Sequence, residues 1–162
     1  MKKKLLTLAV AGMLLAPQAM QAKVEHLLPK PQEITAPSGA LALGGMVTID
    51  DPTNCVALQE FFKSVDCTIG DGGLPVKVTI VESIEGAYDY ELYGFENEAY
   101  TLEITSSAIN ITAVKPTGVI RAAQTLVQLA EGYEGTPSLE TVKVKDWPAF
   151  KLRGYTHDVG RS

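Results

Sequence analysis

Between Tyr100 and Ala130 the hydrophobic period of the chain changes from that of a strand to that of a helix, and this change limits the possible folds more than any other feature. Tyr100, Leu102 and Ile104 alternate with polar residues, Ser106 and Ser107 supply a turn, and Ile109, Ile111 and Ala113 alternate again, the pattern of a hairpin with one buried face. After Pro116 and Thr117, apolar residues recur at Val119, Ala122, Ala123, Leu126 and Ala130, with Ile120 and Val127 beside them, which makes one broad helical face ending near residue 130. A one-sided sheet and a one-sided helix bury their apolar surfaces against each other, so two layers are predicted. The helical face is wide enough to be covered by the sheet on one side and by a further domain on the other.

The rest of the chain extends this pattern. A proline-rich lead over residues 29–37 precedes a first strand over 41–49, in which Gly44 and Gly45 mark a bulge or bend. Asp51 is read as an N-cap with Pro52 at the first helical position, and Cys55, Leu58, Phe62 and Val65 then share one face, with Phe61 alongside. Gly70, Gly72 and Gly73 form the turn that ends this helix, Val76, Val78 and Ile80 alternate as a half-buried strand, and a last strand spans 141–145. The predicted order β, α, β, β, β, α, β is that of a small two-layer α+β domain with an antiparallel-rich sheet and two helices.

The beginning of the chain does not belong to that domain. Lys2, Lys3 and Lys4 precede an apolar run over 5–15 that is too short to span a bilayer, so residues 1–22 read as a secretory signal peptide cleaved after Ala22, with Ala19 as the alternative. No later segment is apolar for long enough to cross a membrane. The expected product is an exported protein, periplasmic or extracellular, from a bacterium. Without the three leader lysines, 11 basic side chains stand against 19 acidic ones, a balance of −8. Such a charge, with no basic stripe, excludes a nucleic-acid partner, because affinity for phosphates rests on clustered Lys and Arg.

Export makes a disulfide between Cys55 and Cys67 the obvious expectation, but geometry opposes it. A continuous helix puts Cys55 and Val65 about 15 Å apart at 1.5 Å per residue, and two more residues do not return Cys67 to the ~4.4–6.8 Å that a disulfide needs between Cα atoms. Two separate thiols are therefore predicted. With no CxxC pair and no Cys/His cluster, no metal site or cofactor is indicated.

Residues 23–145 assemble no catalytic constellation. His26 and His157 are far apart in sequence, and the chain has no HExxH, GxSxG or reactive-Cys signature. The glycines at 70, 72 and 73 lack the Lys-Ser/Thr of a phosphate-binding loop. The acidic pair Asp50 and Asp51 is explained by helix capping rather than by acid/base chemistry. Residues 82–98 form an acidic stretch carrying Tyr88, Tyr90, Tyr93 and Phe95, read as a solvated excursion whose rings cover the domain edge, although sugar or partner binding there is conceivable. In the final residues a strand begins near Phe150 with no turn after it before the chain stops, and Arg153 within it serves either as a core ion-pair partner or as a ligand-binding group.

This final stretch resembles the start of the catalytic barrel in family 20 glycoside hydrolases, the β-N-acetylhexosaminidases, whose pattern is roughly D-x-P-x-F-x-x-R-G followed by D-x-x-R. Asp146, Pro148, Phe150, Arg153, Gly154, Asp158 and Arg161 match in spacing. Gln124-Thr125-Leu126-Val127-Gln128-Leu129 likewise resembles the Q-T-L-x-Q-L signature of the α+β domain preceding that barrel. Departures are His157, Gly160, Ala149 and Ser162, where other residues are common, and they mark a divergent branch.

The resemblance implies a domain plan of residues 1–22 as signal peptide, 23–147 as the α+β domain, and 148–162 as the start of a (β/α)8 barrel cut short within its first strand. It implies that Arg153 binds hydroxyls of a terminal N-acetylglucosamine or N-acetylgalactosamine, a role suited to a guanidinium fork that stays charged at any relevant pH. Asp158 and Arg161 are implied to be supports of the barrel strand. It also implies substrate-assisted retaining catalysis, in which the 2-acetamido oxygen attacks the anomeric carbon while an adjacent Asp-Glu pair orients the amide and protonates the leaving oxygen. That pair belongs on a later barrel strand, beyond Ser162, so no catalytic residue is expected in this chain, and the α+β domain is expected to pack on its own barrel. Two alternatives remain open: an accessory domain of another glycosidase family, and a stand-alone exported carbohydrate-binding or interaction module.

Overall fold

The computed structural model describes residues 23–87, 97–130 and 138–150. A single 3-10 turn, Lys23–His26, leads into β1 (Glu33–Thr35), β2 (Ala40–Ala42), β3 (Met46–Asp50), α1 (Val56–Ser64), β4 (Thr68–Ile69), β5 (Leu74–Ile80), β6 (Tyr100–Ile104), β7 (Ile109–Ala113), α2 (Pro116–Ala130), β8 (Ser138–Glu140) and β9 (Val142–Asp146). Seven strands form one sheet in the order β1-β9-β6-β7-β5-β3-β4, and β2 pairs with β8 in a separate ribbon. Across the main sheet β1, β9, β6 and β7 are antiparallel, whereas β7, β5, β3 and β4 run parallel. With the antiparallel β2–β8 ribbon, antiparallel pairings outnumber parallel ones. The predicted two-layer α+β class holds.

Register explains why one face is core. Leu102 pairs with both Ile111 and Val144, Ile104 with Ile109 and Val142, and Val76 and Val78 with Ile109 and Ile111, so apolar residues line up across the strands on the same side. Leu102, Ile109, Ile111, Val142 and Val144 are buried there against Leu58, Phe61 and Phe62 of α1 and Val119, Ala122, Ala123 and Leu126 of α2. The opposite face carries Lys77, Thr79, Thr101, Glu103, Asn110 and Lys143, whose side chains favour water.

The strand expected over residues 41–49 is two strands in two sheets. Gly44, at φ 98°, breaks the run in a conformation that favours glycine, and the chain crosses from the β2–β8 ribbon into β3. The break does more than bend a strand: Leu41 and Leu139 pair in the ribbon and close one end of the core.

The first helix begins at Val56 rather than at Pro52. Asp51 is therefore not the N-cap: Cys55 holds that position without a side-chain cap bond, and Asp51 braces the turn before it, one carboxylate oxygen accepting the Thr53 N–H at 2.8 Å and its hydroxyl at 2.7 Å and the other accepting the Cys55 N–H at 2.7 Å. The far end closes without glycine. Asp66, at φ 57°, donates its N–H to the Lys63 carbonyl, and Cys67 donates to Phe62, the paired bonds of a Schellman cap. The glycines therefore do not end this helix. Gly73 instead permits contact between strands, since a Cβ there would lie 2.2 Å from the Met46 carbonyl oxygen.

Cys55 and Cys67 are free and buried, as predicted, with the Cys67 sulfur accepting the Gly44 N–H at 3.3 Å. Denaturing unreduced protein in the presence of a thiol reagent should label two thiols per chain; labelling of neither would overturn the assignment.

The second helix runs from Pro116 to Ala130, ending where predicted but already including Pro116 and Thr117, and its approach to the sheet depends on Gly118. A Cβ at this position would lie 2.6 Å from the Ala99 carbonyl oxygen and 3.0 Å from the Ala113 Cβ. Gly→Ala inside a helix normally stabilises by about 1 kcal/mol. Gly118→Ala should instead destabilise by about 1–3 kcal/mol, the usual cost of overpacking, read as a lower denaturation midpoint; an unchanged or higher midpoint would show that the seat is slack.

Candidate functional site

One flank of α2 carries the polar residues of the Q-T-L-V-Q-L stretch, and it borders a cleft of about 340 Å³. The cleft lies between α2, the lead over residues 27–32 and the segment from Asp146 to Phe150. Helical spacing places Arg121, Gln124, Thr125 and Gln128 on one flank, because residues three and four apart are neighbours on a helix surface. Arg121 donates from Nε to the Glu98 carboxylate at 2.8 Å and from a terminal nitrogen to the Gln124 side chain at 2.9 Å. Gln128 makes two bonds to one residue: its side-chain oxygen accepts the Leu28 N–H at 2.8 Å, and its side-chain nitrogen donates to the Leu28 carbonyl at 3.1 Å.

The other wall begins at Asp146, the last residue of β9, which faces Tyr100 across the β6–β9 pair. Its carboxylate accepts the Gln32 N–H at 3.2 Å, and the Gln32 side chain donates to the Trp147 carbonyl at 3.3 Å. Lys145, ion-paired with Glu33 at 3.0 Å, stands 5.7 Å from the centre of the Trp147 ring. At the base of the cleft the Tyr100 hydroxyl meets the Thr125 hydroxyl at 2.6 Å. The Thr125 hydroxyl also lies 3.2 Å from the Arg121 carbonyl, to which it can donate, so either hydroxyl can be the donor between Tyr100 and Thr125.

Burial sets the electrostatics. It pushes the Tyr100 hydroxyl up to about 12, the hydrogen bond with Thr125 opposing and the Asp146 charge adding to the rise. It likewise holds the Asp146 carboxyl above the ordinary carboxylate value, with the N–H groups of Gln32 and Trp147 pulling the other way. The side-chain amides and guanidinium described above are bonded to neighbouring parts of the chain, so the arrangement fastens segments together. Among the described residues no group of three or more His, Cys, Asp or Glu is placed to hold a metal ion, and no helix is long and apolar enough to cross a membrane.

Arg153, the predicted sugar-binding residue, lies outside the described residues, as do Gly154, His157, Asp158, Arg161 and the aromatic residues Tyr88, Tyr90, Tyr93 and Phe95. The structure does bring together the described parts of the two resemblance motifs: Thr125, Gln124 and Gln128 of one border the same cleft as Asp146, Pro148 and Phe150 of the other. Sequence reasoning passed over Arg121 and the role of Gln128. Their signal was present in the 121, 124, 128 spacing on the polar side of an otherwise apolar helix, but their partners Glu98 and Leu28 are remote in sequence.

Residues 25–147 match the family model described as glycosyl hydrolase family 20, domain 2. This chain belongs to glycosyl hydrolase family 20. It is 30% identical over 141 residues to a beta-hexosaminidase of Vibrio vulnificus, covering 85% of this chain and 15% of that protein. It is 28% identical over 140 residues to N,N'-diacetylchitobiase of Vibrio harveyi, covering 84% of this chain and again 15% of the relative. The chain thus spans about 15% of the length of the curated relatives it matches. The same fold occurs in a Vibrio harveyi exo-β-N-acetylglucosaminidase solved with N-acetylglucosamine, at a TM-score of 0.58 and 20% identity, over 80% of this chain and 20% of that one.

The raised Asp146 value has a defined consequence. A carboxyl whose folded value lies above its unfolded value, about 3.9, adds stability that is complete below that pH and is lost as pH climbs through the raised value. Asp146→Asn keeps the shape and the acceptor for Gln32 but has no charge to desolvate. Its melting temperature relative to the parent should therefore increase as pH is raised from about 4 to about 7; a difference that stays flat across that range would contradict the burial argument.

Proposed function

We propose that this chain is the N-terminal portion of an exported β-N-acetylhexosaminidase that releases terminal N-acetylglucosamine or N-acetylgalactosamine from glycans by substrate-assisted retaining hydrolysis. One observation carries the proposal. The family-20 domain ends at residue 147, and the D-x-P-x-F-x-x-R-G pattern from Asp146 to Gly154 crosses that boundary without a gap, as expected of an accessory domain entering a catalytic barrel. The names of the relatives, a hexosaminidase and a chitobiase, and the N-acetylglucosamine complex of a third protein support the substrate class. The leader over residues 1–22 supports export.

On this reading Arg153 binds hydroxyls of the terminal sugar, and the α+β domain buttresses its own barrel. The surface beside the cleft supports the second role. Leu28 and Phe150 are 76% and 72% exposed, and Ile120 and Val127, seven residues apart on α2, are 39% and 43% exposed. An apolar flank of this kind beside a polar junction suits contact with another domain. The binding-module alternative depends on the acidic aromatic stretch around residues 88–96, outside the described residues.

The reaction needs an acetamide-orienting carboxylate with an adjacent acid, and the proposal assigns neither to residues 1–162. A barrel of this type requires about 250 residues. The 162-residue chain alone should release no chromophore from an aryl N-acetyl-β-glucosaminide. A longer polypeptide encoded past Ser162, carrying an adjacent Asp-Glu pair, should release it, and Arg153→Lys in that polypeptide should lose at least about tenfold in kcat/KM, because Lys lacks the fork that meets two hydroxyls. Turnover by the short chain, or an unimpaired Arg153→Lys enzyme, would defeat the assignment.

A further inference from the structure

Residues 28–32 bridge the cleft from one motif to the other, and both ends of the bridge are held by glutamines. At one end Gln128 grips the backbone of Leu28 through both its N–H and its carbonyl. At the other end the Gln32 backbone N–H reaches Asp146 and the Gln32 side chain reaches the Trp147 carbonyl. Between them run Pro29, Lys30 and Pro31. Each proline fixes its own φ and confines the residue before it, so Leu28, Pro29, Lys30 and Pro31 are all restricted. A segment so stiff transmits a displacement at Leu28 to Gln32 rather than absorbing it. β1 begins directly after Gln32, and its pairing with β9, together with the Glu33–Lys145 ion pair, keeps the far end in register.

We propose that residues 28–32 act as a clamp, with Gln128 and Gln32 as its positioning residues, which couples helix α2 to the exit of the chain from β9 at Asp146 and Trp147. The second glutamine of the Q-T-L-x-Q-L stretch is thereby mechanically linked to the first residue of the D-x-P-x-F stretch, although the two do not bond to each other. The coupling rests on these hydrogen bonds and does not depend on catalysis. If the proposed function holds, the clamped exit is also the entrance to the barrel.

Amide exchange on the full chain tests the coupling. Gln128 is only half-buried and lies outside the core, so Gln128→Ala should fold, and it should speed exchange in peptides covering both residues 27–32 and residues 145–150 by about three- to tenfold, the scale of one or two exposed hydrogen bonds. Exchange over Ile109–Ala113 should not change. Coupling is reciprocal, so Gln32→Ala should speed exchange at Leu28 as well as at Asp146 and Trp147. Gln128→Glu, which still accepts the Leu28 N–H but cannot donate to its carbonyl, should fall between parent and Gln128→Ala. The proposal is overturned if Gln128→Ala loosens 27–32 and leaves 145–150 at the parent rate. It is equally overturned if 27–32 keeps its rate, or if the hairpin speeds by the same factor and the glutamine proves a general support. Loss of hexosaminidase activity in a longer polypeptide would bear on the proposed function alone and leaves this readout untouched.

Discussion

The seat of α2 on the β6–β7 hairpin controls most of what the domain presents. Gly118 lets the first turn of the helix come against the Ala99 carbonyl and the Ala113 methyl, closer than any side chain would allow. Ala122 and Ala123 continue the narrow contact, and Leu126 and Leu129 fill the space that opens beyond them; all four are buried. Small residues at the near end and larger ones farther along set the angle of the helix as well as its distance. Once that angle is set, no rotational freedom remains: the side chains along the flank that borders the cleft have fixed directions, and whatever they hold is placed relative to β6 and β9.

What they hold is the border of the domain. Arg121 reaches Glu98 just before β6, the Thr125 hydroxyl meets the Tyr100 hydroxyl of β6 itself, and Gln128 takes the lead segment. These three contacts run along one flank of a single helix and touch the beginning of the hairpin and the start of the domain. Asp146 completes the set from β9, opposite Tyr100 in the ladder. The energetic character changes across this short distance. The core is apolar and close-packed, and its residues resist opening together. Apart from the buried Tyr100–Thr125 pair, the border is made of hydrogen bonds at or near the surface, each worth about 0.5–1.5 kcal/mol, so it belongs to the part of the domain that opens first. A junction assembled from weak, directional contacts on a rigid seat can be adjusted without unfolding the core.

The hairpin and α2 were legible in the sequence because both are local, periodic and long enough for the period to count. β1, β4 and β8 were not, since strands of two or three residues have no period and exist only through their partners. The switch between sheets at Gly44 was read as a bend: glycine signals a permissive backbone but not where the chain goes next. Parallel pairing of β3, β5 and β7 is likewise invisible in a local pattern, being a property of crossover connections. At the border the types of residue were visible but not their meanings. Gln124 and Gln128 stood out as parts of a recognisable stretch, and nothing local in the sequence says that Gln128 meets a residue 100 positions earlier.

The position of Asp146 shows how the border and the core are joined. By register it continues the inward-facing row of Val142 and Val144, so the pleat directs a carboxyl toward a side where its two predecessors are apolar. A further apolar residue there would extend the core to the end of the strand and leave the Gln32 N–H without this acceptor. A fully ionised carboxylate would bind that N–H well but pay for desolvation beside Tyr100. The observed compromise is a half-buried acid whose ionisation is opposed by burial and favoured by two backbone N–H groups. It ends the apolar row and begins the hydrogen-bonded junction at one residue, so the boundary between the packed domain and the chain leaving it is set by the pleat of β9.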